Sequence, residues 1–226
     1  LADVEAIEKQ PWQSRLAHET VFHAIEAQVA REPGRMAIQF LATGGLDEDV
    51  QSLTYAEFAA RIRRAANMFR SLGVRRGDVV SFLVPPLPAS HYGLWGASVA
   101  GIASPINFLL QGEAIAKIIA GSGAKILVAY QDAGEGFAID DKVEEIKALV
   151  PGLDHIFRIG GGDDDFDAAL AKFDGDGLDF DDHPVRDDVA FYIHTGGTTG
   201  TPKLARVTHG GILFKSWSTP VMQGLR

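Results

Sequence analysis

At 226 residues, 46% of them hydrophobic and 23% charged, the chain has room for one large domain or two small ones, and its composition excludes wholesale disorder. Its 21 basic and 30 acidic residues give a formal net charge of -9, which argues against nucleic acid as the main partner, because phosphate-backbone binders concentrate basic charge. There is no cysteine, hence no disulfide framework, thiolate metal site or cysteine nucleophile, and a cytoplasmic, reducing setting fits.

The opening Leu1-Ala2-Asp3-Val4-Glu5 is acidic, with no basic region ahead of an apolar run, so it does not read as a signal peptide. It lacks Met and reads as a processed or engineered start. Residues 14–31 read as a helix, with Leu16, Val21, Phe22, Ile25 and Val29 on one stripe, stopped by Pro33-Gly34. A short strand (36–41) and a polar turn (43–49) follow. Residues 1–52 are expected to be a lead-in segment, and 53–226 part of one domain.

The next helix carries the clearest local signals. Thr54 and Glu57 form a capping box, and Tyr55, Phe58, Ile62, Ala66, Phe69 and Leu72 recur at helical spacing. Gly73 is the expected stop. Arg61, Arg63, Arg64 and Arg70 then fall on the polar side, expected to face water.

From 79 to 112 there is no Asp, Glu, Lys or Arg, but Pro85, Pro86, Pro88 and Pro105 interrupt the stretch. A membrane-spanning helix needs about 20 apolar residues in a row. The better reading is strand (79–84), buried helix (89–101), strand (103–106), with Tyr92, Trp95 and Phe108 as core residues and Asn107 as a turn residue. Further on come helix 113–120, strand 125–130, helix 140–150 and strand 155–159. Residues 163–188 hold eleven aspartates and read as a solvated connection with a short helix at 168–173; the faint calcium-loop pattern from Asp174 lacks the required residues at its later positions. Strands 189–194 and 204–208 close the series. Strands alternating with helices predict an α/β fold with a largely parallel sheet flanked by helices.

The segment Thr195-Gly196-Gly197-Thr198-Thr199-Gly200-Thr201-Pro202-Lys203 is where chemistry is expected. Glycines let a ligand approach the backbone, and successive free N–H groups form an anion-binding concavity. Threonine hydroxyls add donors, and Lys203 adds a positive charge. The combination describes a polyphosphate cradle. It is not a Walker A loop: Thr201-Pro202 separate Gly200 from Lys203, and the following residues read as a strand. A helix after Lys203 would favour a P-loop kinase or ATPase instead. An ordinary hairpin turn needs only one or two special residues.

This loop resembles the signature of the AMP-forming adenylating enzymes, a family that includes acyl-CoA synthetases, peptide-synthetase adenylation domains and luciferases. The blocks Leu53-Thr-Tyr-Ala-Glu-Phe58, Gly73-Val-Arg-Arg-Gly-Asp-Val79, Ala100-Gly-Ile-Ala-Ser-Pro-Ile-Asn107 and Thr208-His209 resemble other parts of the family in the same order. The loop variant is most similar to bacterial fatty-acyl-CoA synthetases. The resemblance implies ATP-dependent activation of a carboxylic acid, expected to be a fatty acid, to an acyl-adenylate and then an acyl-CoA thioester, with ATP, Mg²⁺ and coenzyme A taking part. It implies hydroxyl donors at Thr195, Thr198 and Thr199, backbone donors at Gly196, Gly197 and Gly200, and charge at Lys203, with Thr201 and Pro202 completing the phosphate-binding loop.

His209 is a possible pocket residue or, equally, a structural histidine, and His194 is a possible anchor of the loop. The sequence departs from the family pattern at Gly196, usually serine, and at Leu204, often glycine. It also stops soon after the loop, so the chain is expected to be an inactive N-terminal piece holding no catalytic residue of its own. A peptide-synthetase adenylation domain and a non-catalytic nucleotide-binding module remain the alternatives. No His-Glu-x-x-His or Gly-x-Ser-x-Gly pattern occurs, so neither a metal site nor a hydrolase triad is expected.

Overall fold

The computed structural model describes residues 9, 11–45, 47–131, 138–162, 164–195 and 203–223. A 3₁₀ turn (Trp12–Arg15) leads to α1 (Val21–Arg31) and an antiparallel pair, β1 (Met36–Phe40) with β2 (Gln51–Thr54). Then come α2 (Tyr55–Ser71), β3 (Val79–Leu83), α3 (Pro88–Ala100), β4 (Ile102–Pro105), α4 (Gly112–Ser122), β5 (Ile126–Tyr130) and α5 (Ile139–Leu149). The rest is β6 (His155–Ile159), α6 (Phe166–Leu170), β7 (Val189–Thr195), β8 (Lys203–Thr208) and α7 (His209–Met222).

Six strands form one sheet in the order β6-β5-β3-β4-β7-β8. The first five are mutually parallel, and β8 runs antiparallel to β7. Every residue of β3 is buried, which explains its lack of polar alternation: helices cover both faces. Val80 and Phe82 point into the core shared with Ile62, Phe69 and Tyr92 on α2 and α3. Val79 and Leu83 point the other way, to Ile115, Ile119, Val143 and Ile146 on α4 and α5. The charge-free stretch is thus strand, helix and strand, and among the described residues no helix is long and apolar enough to cross a membrane.

The start and stop of α2 are local. Thr54 Oγ1 accepts from the Glu57 N–H at 3.3 Å, and a Glu57 carboxylate oxygen accepts from the Thr54 N–H at 2.8 Å. At the other end Gly73 takes φ 90°. Its N–H bonds the Arg70 carbonyl and that of Val74 the Phe69 carbonyl, both at 3.0 Å, the paired bonds of a Schellman stop. α2 crosses α3 closely at Gly96, where a Cβ would lie 2.4 Å from the Ala65 Cβ.

Three expectations need correction. The helix expected over 14–31 begins only at Val21, because Thr20 is extended and its side chain caps the first turn by accepting from the His23 N–H at 3.1 Å; a cap of this kind starts a helix rather than continuing one.

The arginine face of α2 is not solvated. Arg70 is 8% exposed; it bonds Asp182 at 2.8 Å, and its guanidinium carbon lies 4.1 Å from the Phe180 ring centroid. Arg63 bonds the Gly175 carbonyl at 2.8 Å and pairs with Glu26 on α1 at 2.6 Å. Arg61 stands over the Tyr92 ring.

The acidic segment keeps Asp174, Asp176, Asp179, Asp181, Asp182 and Asp187 exposed, as expected of a solvated connection, but it also covers the core. Phe173, Leu178 and Phe180 pack against the core. Asn67 donates to the carbonyls of Asp174 and Gly177 and accepts from the Asp179 N–H. Apolar residues interleaved among the aspartates, together with arginines opposite them, outweigh the mutual repulsion that made the segment read as free. The short helix in it lies at Phe166–Leu170, capped by Asp165, rather than at 168–173.

Candidate functional site

Where neighbouring parallel strands send their outgoing loops in opposite directions, the sheet opens a crevice at their carboxyl ends, the usual ligand position in open α/β folds. β4 leads across β3 to β5, whereas β7 leads outward to β8. β4 and β7 are adjacent, so the divergence falls between them.

The residues flanking the glycine–threonine loop stand at this place. Thr195 ends β7 and Lys203 begins β8; they are register partners, and the Thr195 hydroxyl donates to the Lys203 carbonyl at 3.4 Å. Both are exposed. The segment after Lys203 is a strand, as the sequence suggests and as a Walker A loop does not allow. Gly196, Gly197, Thr198, Thr199, Gly200, Thr201 and Pro202 lie outside the described residues.

His194, next to Thr195, accepts at Nε2 from the Asn107 backbone N–H at 3.0 Å, so the exits of β7 and β4 are tied directly. Asn107 shapes its own turn: its Oδ1 accepts from the Leu109 N–H at 3.0 Å and its carbonyl from the Leu110 N–H at 3.2 Å. Sequence spacing gives no sign of this link, because the partners lie 87 residues apart.

His209 sits elsewhere. It follows the far end of β8, the strand of six residues that Lys203 begins, roughly 17 Å long at the usual rise per residue. Its N–H bonds the Asp188 carbonyl at 3.0 Å, where β7 begins, and that of Gly210 bonds the Arg186 carbonyl at 2.8 Å. The imidazole is 1% exposed. The Ser98 backbone approaches the ring, yet neither ring nitrogen completes a hydrogen bond of good geometry. Burial pushes its pKa down to about 4, against a smaller upward pull from Asp188. Among the described residues no three His, Asp or Glu side chains are grouped to hold a metal ion.

The fold is a doubly wound α/β sheet in which Thr195 and Lys203 stand, paired, at the point where the connections diverge. The sequence profile of the AMP-binding enzyme family matches residues 25–224, and the chain belongs to that family. Its curated relatives include the marinolic acid–CoA ligase of Pseudoalteromonas sp. (strain SANK 73390), 31% identical over 219 residues, covering 96% of this chain and 33% of that protein. A feruloyl-CoA synthase of Amycolatopsis is 34% identical over 169 residues, covering 72% of this chain and 30% of the relative. The chain therefore spans about a third of the length of these relatives. Among solved structures, a long-chain-fatty-acid-CoA ligase from Archaeoglobus fulgidus superposes with a TM-score of 0.78 at 21% identity, over 93% of this chain and 41% of the other. An anthranilate CoA ligase bound to anthranoyl-AMP gives 0.73 at 20% identity, over 88% of this chain and 36% of that one.

Proposed function

We propose that the protein activates a carboxylic acid, a fatty acid above all, in two steps. A carboxylate oxygen of the acid attacks the α-phosphorus of ATP, the bond to the bridging oxygen breaks, and pyrophosphate leaves. The sulfur of coenzyme A then attacks the acyl carbon of the adenylate, the bond to the AMP oxygen breaks, and the thiol proton is lost to solvent or a base. The observation that carries this reading is the place of Thr195 and Lys203. They bracket a donor-rich loop at the β4–β7 divergence of a chain in the AMP-binding family.

Nucleotidyl transfer depends on holding and neutralising phosphates rather than on covalent chemistry by the protein. The proposed roles follow: Thr195, Thr198 and Thr199 donate from hydroxyls, Gly196, Gly197 and Gly200 from the backbone, Lys203 supplies charge, and Thr201-Pro202 hold the loop's exit. ATP enters as its Mg²⁺ complex. The 226-residue chain alone has no ligase turnover under this proposal, since it spans only a third of the relatives' length.

The test is ATP–pyrophosphate exchange by the full-length protein against a panel of fatty, aromatic and amino acids. A fatty acid should support the fastest exchange. Lys203→Ala and Thr199→Ala should slow it, by about 10²-fold for Lys203→Ala, as loss of one preorganised donor does elsewhere. Unchanged exchange in both variants refutes the assignment.

A further inference from the structure

β4 and β7 lie alongside each other as closely as β3 and β4 do, but their ladder is short. β3 has four register pairs with β4 and four with β5, whereas β4 and β7 share one, Ala103 with Phe191. That pair lies two residues before the end of β4 and four before the end of β7, so among the described residues no ladder pair joins their carboxyl ends, where a ligand is expected. The bond from the Asn107 N–H to His194 Nε2 spans that gap.

The donor side of this bond is already set. The Ile106 N–H bonds the Phe82 carbonyl at 2.8 Å, Asn107 closes its own turn, and the Lys142 ammonium, reaching from α5, donates to the Phe108 carbonyl at 2.7 Å. The acceptor side precedes Thr195, whose register partner is Lys203. Accepting at Nε2 requires a lone pair there, hence a neutral ring carrying its proton on Nδ1.

We infer that His194 is a positioning residue for ATP, fixing the paired Thr195 and Lys203 against the β4 exit turn through the Asn107 backbone amide. This inference rests on the adenylation reading above. It assigns His194 no contact with the reacting atoms. The ring acts through Asn107 on one side and through the backbone of Thr195 on the other. Loss of the bond should loosen the paired strand ends that carry Thr195 and Lys203, in both the ground and transition states, a change that appears in KM rather than kcat.

The experiment compares His194→Leu, His194→Asn and His194→Gln in the full-length protein, by pyrophosphate exchange and by amide hydrogen exchange at Asn107. Glutamine carries an acceptor oxygen at about the reach of Nε2, asparagine an acceptor that falls short, and leucine none. His194→Leu and His194→Asn should raise the KM for MgATP roughly threefold to tenfold at little change in kcat, as expected for one hydrogen bond. They should also speed exchange of the Asn107 amide. His194→Gln should restore both. A wild-type KM in His194→Leu, a His194→Gln variant as impaired as His194→Leu, or an Asn107 amide equally protected in all three overturns the inference. If His194→Leu fails to fold, His194→Asn carries the comparison with His194→Gln. No exchange by the wild type with any acid refutes the adenylation reading and the ATP role with it, while the Asn107 amide still reports separately on the His194 bond.

Discussion

The buried, uncharged His209 should make the protein acid-labile over a defined interval. Its ring is 1% exposed, and burial holds its pKa at about 4 against 6.5 for a free histidine. Asp188 opposes that fall and His23 adds to it. The native state then binds fewer protons than the unfolded chain between these two values. Stability rises with pH wherever the unfolded state binds more protons, so the contribution is complete above pH 6.5 and is lost as pH falls towards 4. At 1.36 kcal/mol per pH unit, the interval corresponds to about 3 kcal/mol, a large share of the total for an ordinary domain. The perturbation is His209→Gln, which removes the titrating group. The assay is urea unfolding of both proteins at pH 7.5, 6, 5 and 4.5. His209→Gln will have its own cost at pH 7.5 from altered packing, so the informative quantity is how the gap between the curves changes. Wild type should lose about 2 kcal/mol more than the variant between pH 7.5 and 5. Parallel loss of stability in the two proteins, or an NMR titration placing the native His209 pKa near 6.5, refutes the reasoning. His23, held below its ordinary value mainly by burial and next by His183, adds a smaller slope of the same sign to both curves.

Two further substitutions test the packing that carries the site. Gly96→Ala should destabilise by about 1–3 kcal/mol, because its Cβ would meet the Ala65 Cβ at 2.4 Å and the Ile62 carbonyl at 2.9 Å; a thermal midpoint equal to wild type would show that α2 and α3 are not this close. Asn67→Ala should cost about 2 kcal/mol, since it strips two donors and one acceptor from the covering segment, and limited proteolysis should then cut between residues 174 and 182. Unchanged protection there would mean that the arginines alone hold the segment down.

What could be read from the sequence divides along a physical line. The start and stop of α2 were legible because Thr54, Glu57 and Gly73 act within one helical turn. The central strands were legible because burial on both faces removes charge and alternation from the sequence itself. The polar face of α2 was not. An amphipathic pattern shows which side avoids the core, and water or another charged segment satisfies it equally well. Arg63, Asn67 and Arg70 are answered by residues more than a hundred positions away. Those residues, Gly175, Gly177 and Asp182, belong to a segment rich in aspartate, so each half taken alone looks solvated. Residues 14–20 misled in the opposite sense: Leu16 continues the apolar stripe, but Thr20 caps rather than propagates. α7 gave no usable pattern, since Gly210-Gly211 at its start and Pro220 within it are both poor helix residues.

For the site, the loop's composition pointed to phosphate, and its flanking strands were predicted to within a residue. What composition could not supply was the neighbour. Whether β7 lies beside β4, beside β6 or at the sheet's other edge depends on crossovers that leave no mark in local periodicity, and all these orders are compatible with the same alternation of strands and helices. Only the observed order puts the β4 exit turn within a hydrogen bond of His194. A histidine singled out only as a possible anchor thereby gains a defined partner. His209 shows the converse. It lies six residues beyond Lys203 in sequence, but an intervening extended strand converts that short separation into the length of the sheet. Proximity in sequence therefore misled for His209, and distance in sequence concealed the partner of His194, because strand order decides which chain ends share the crevice.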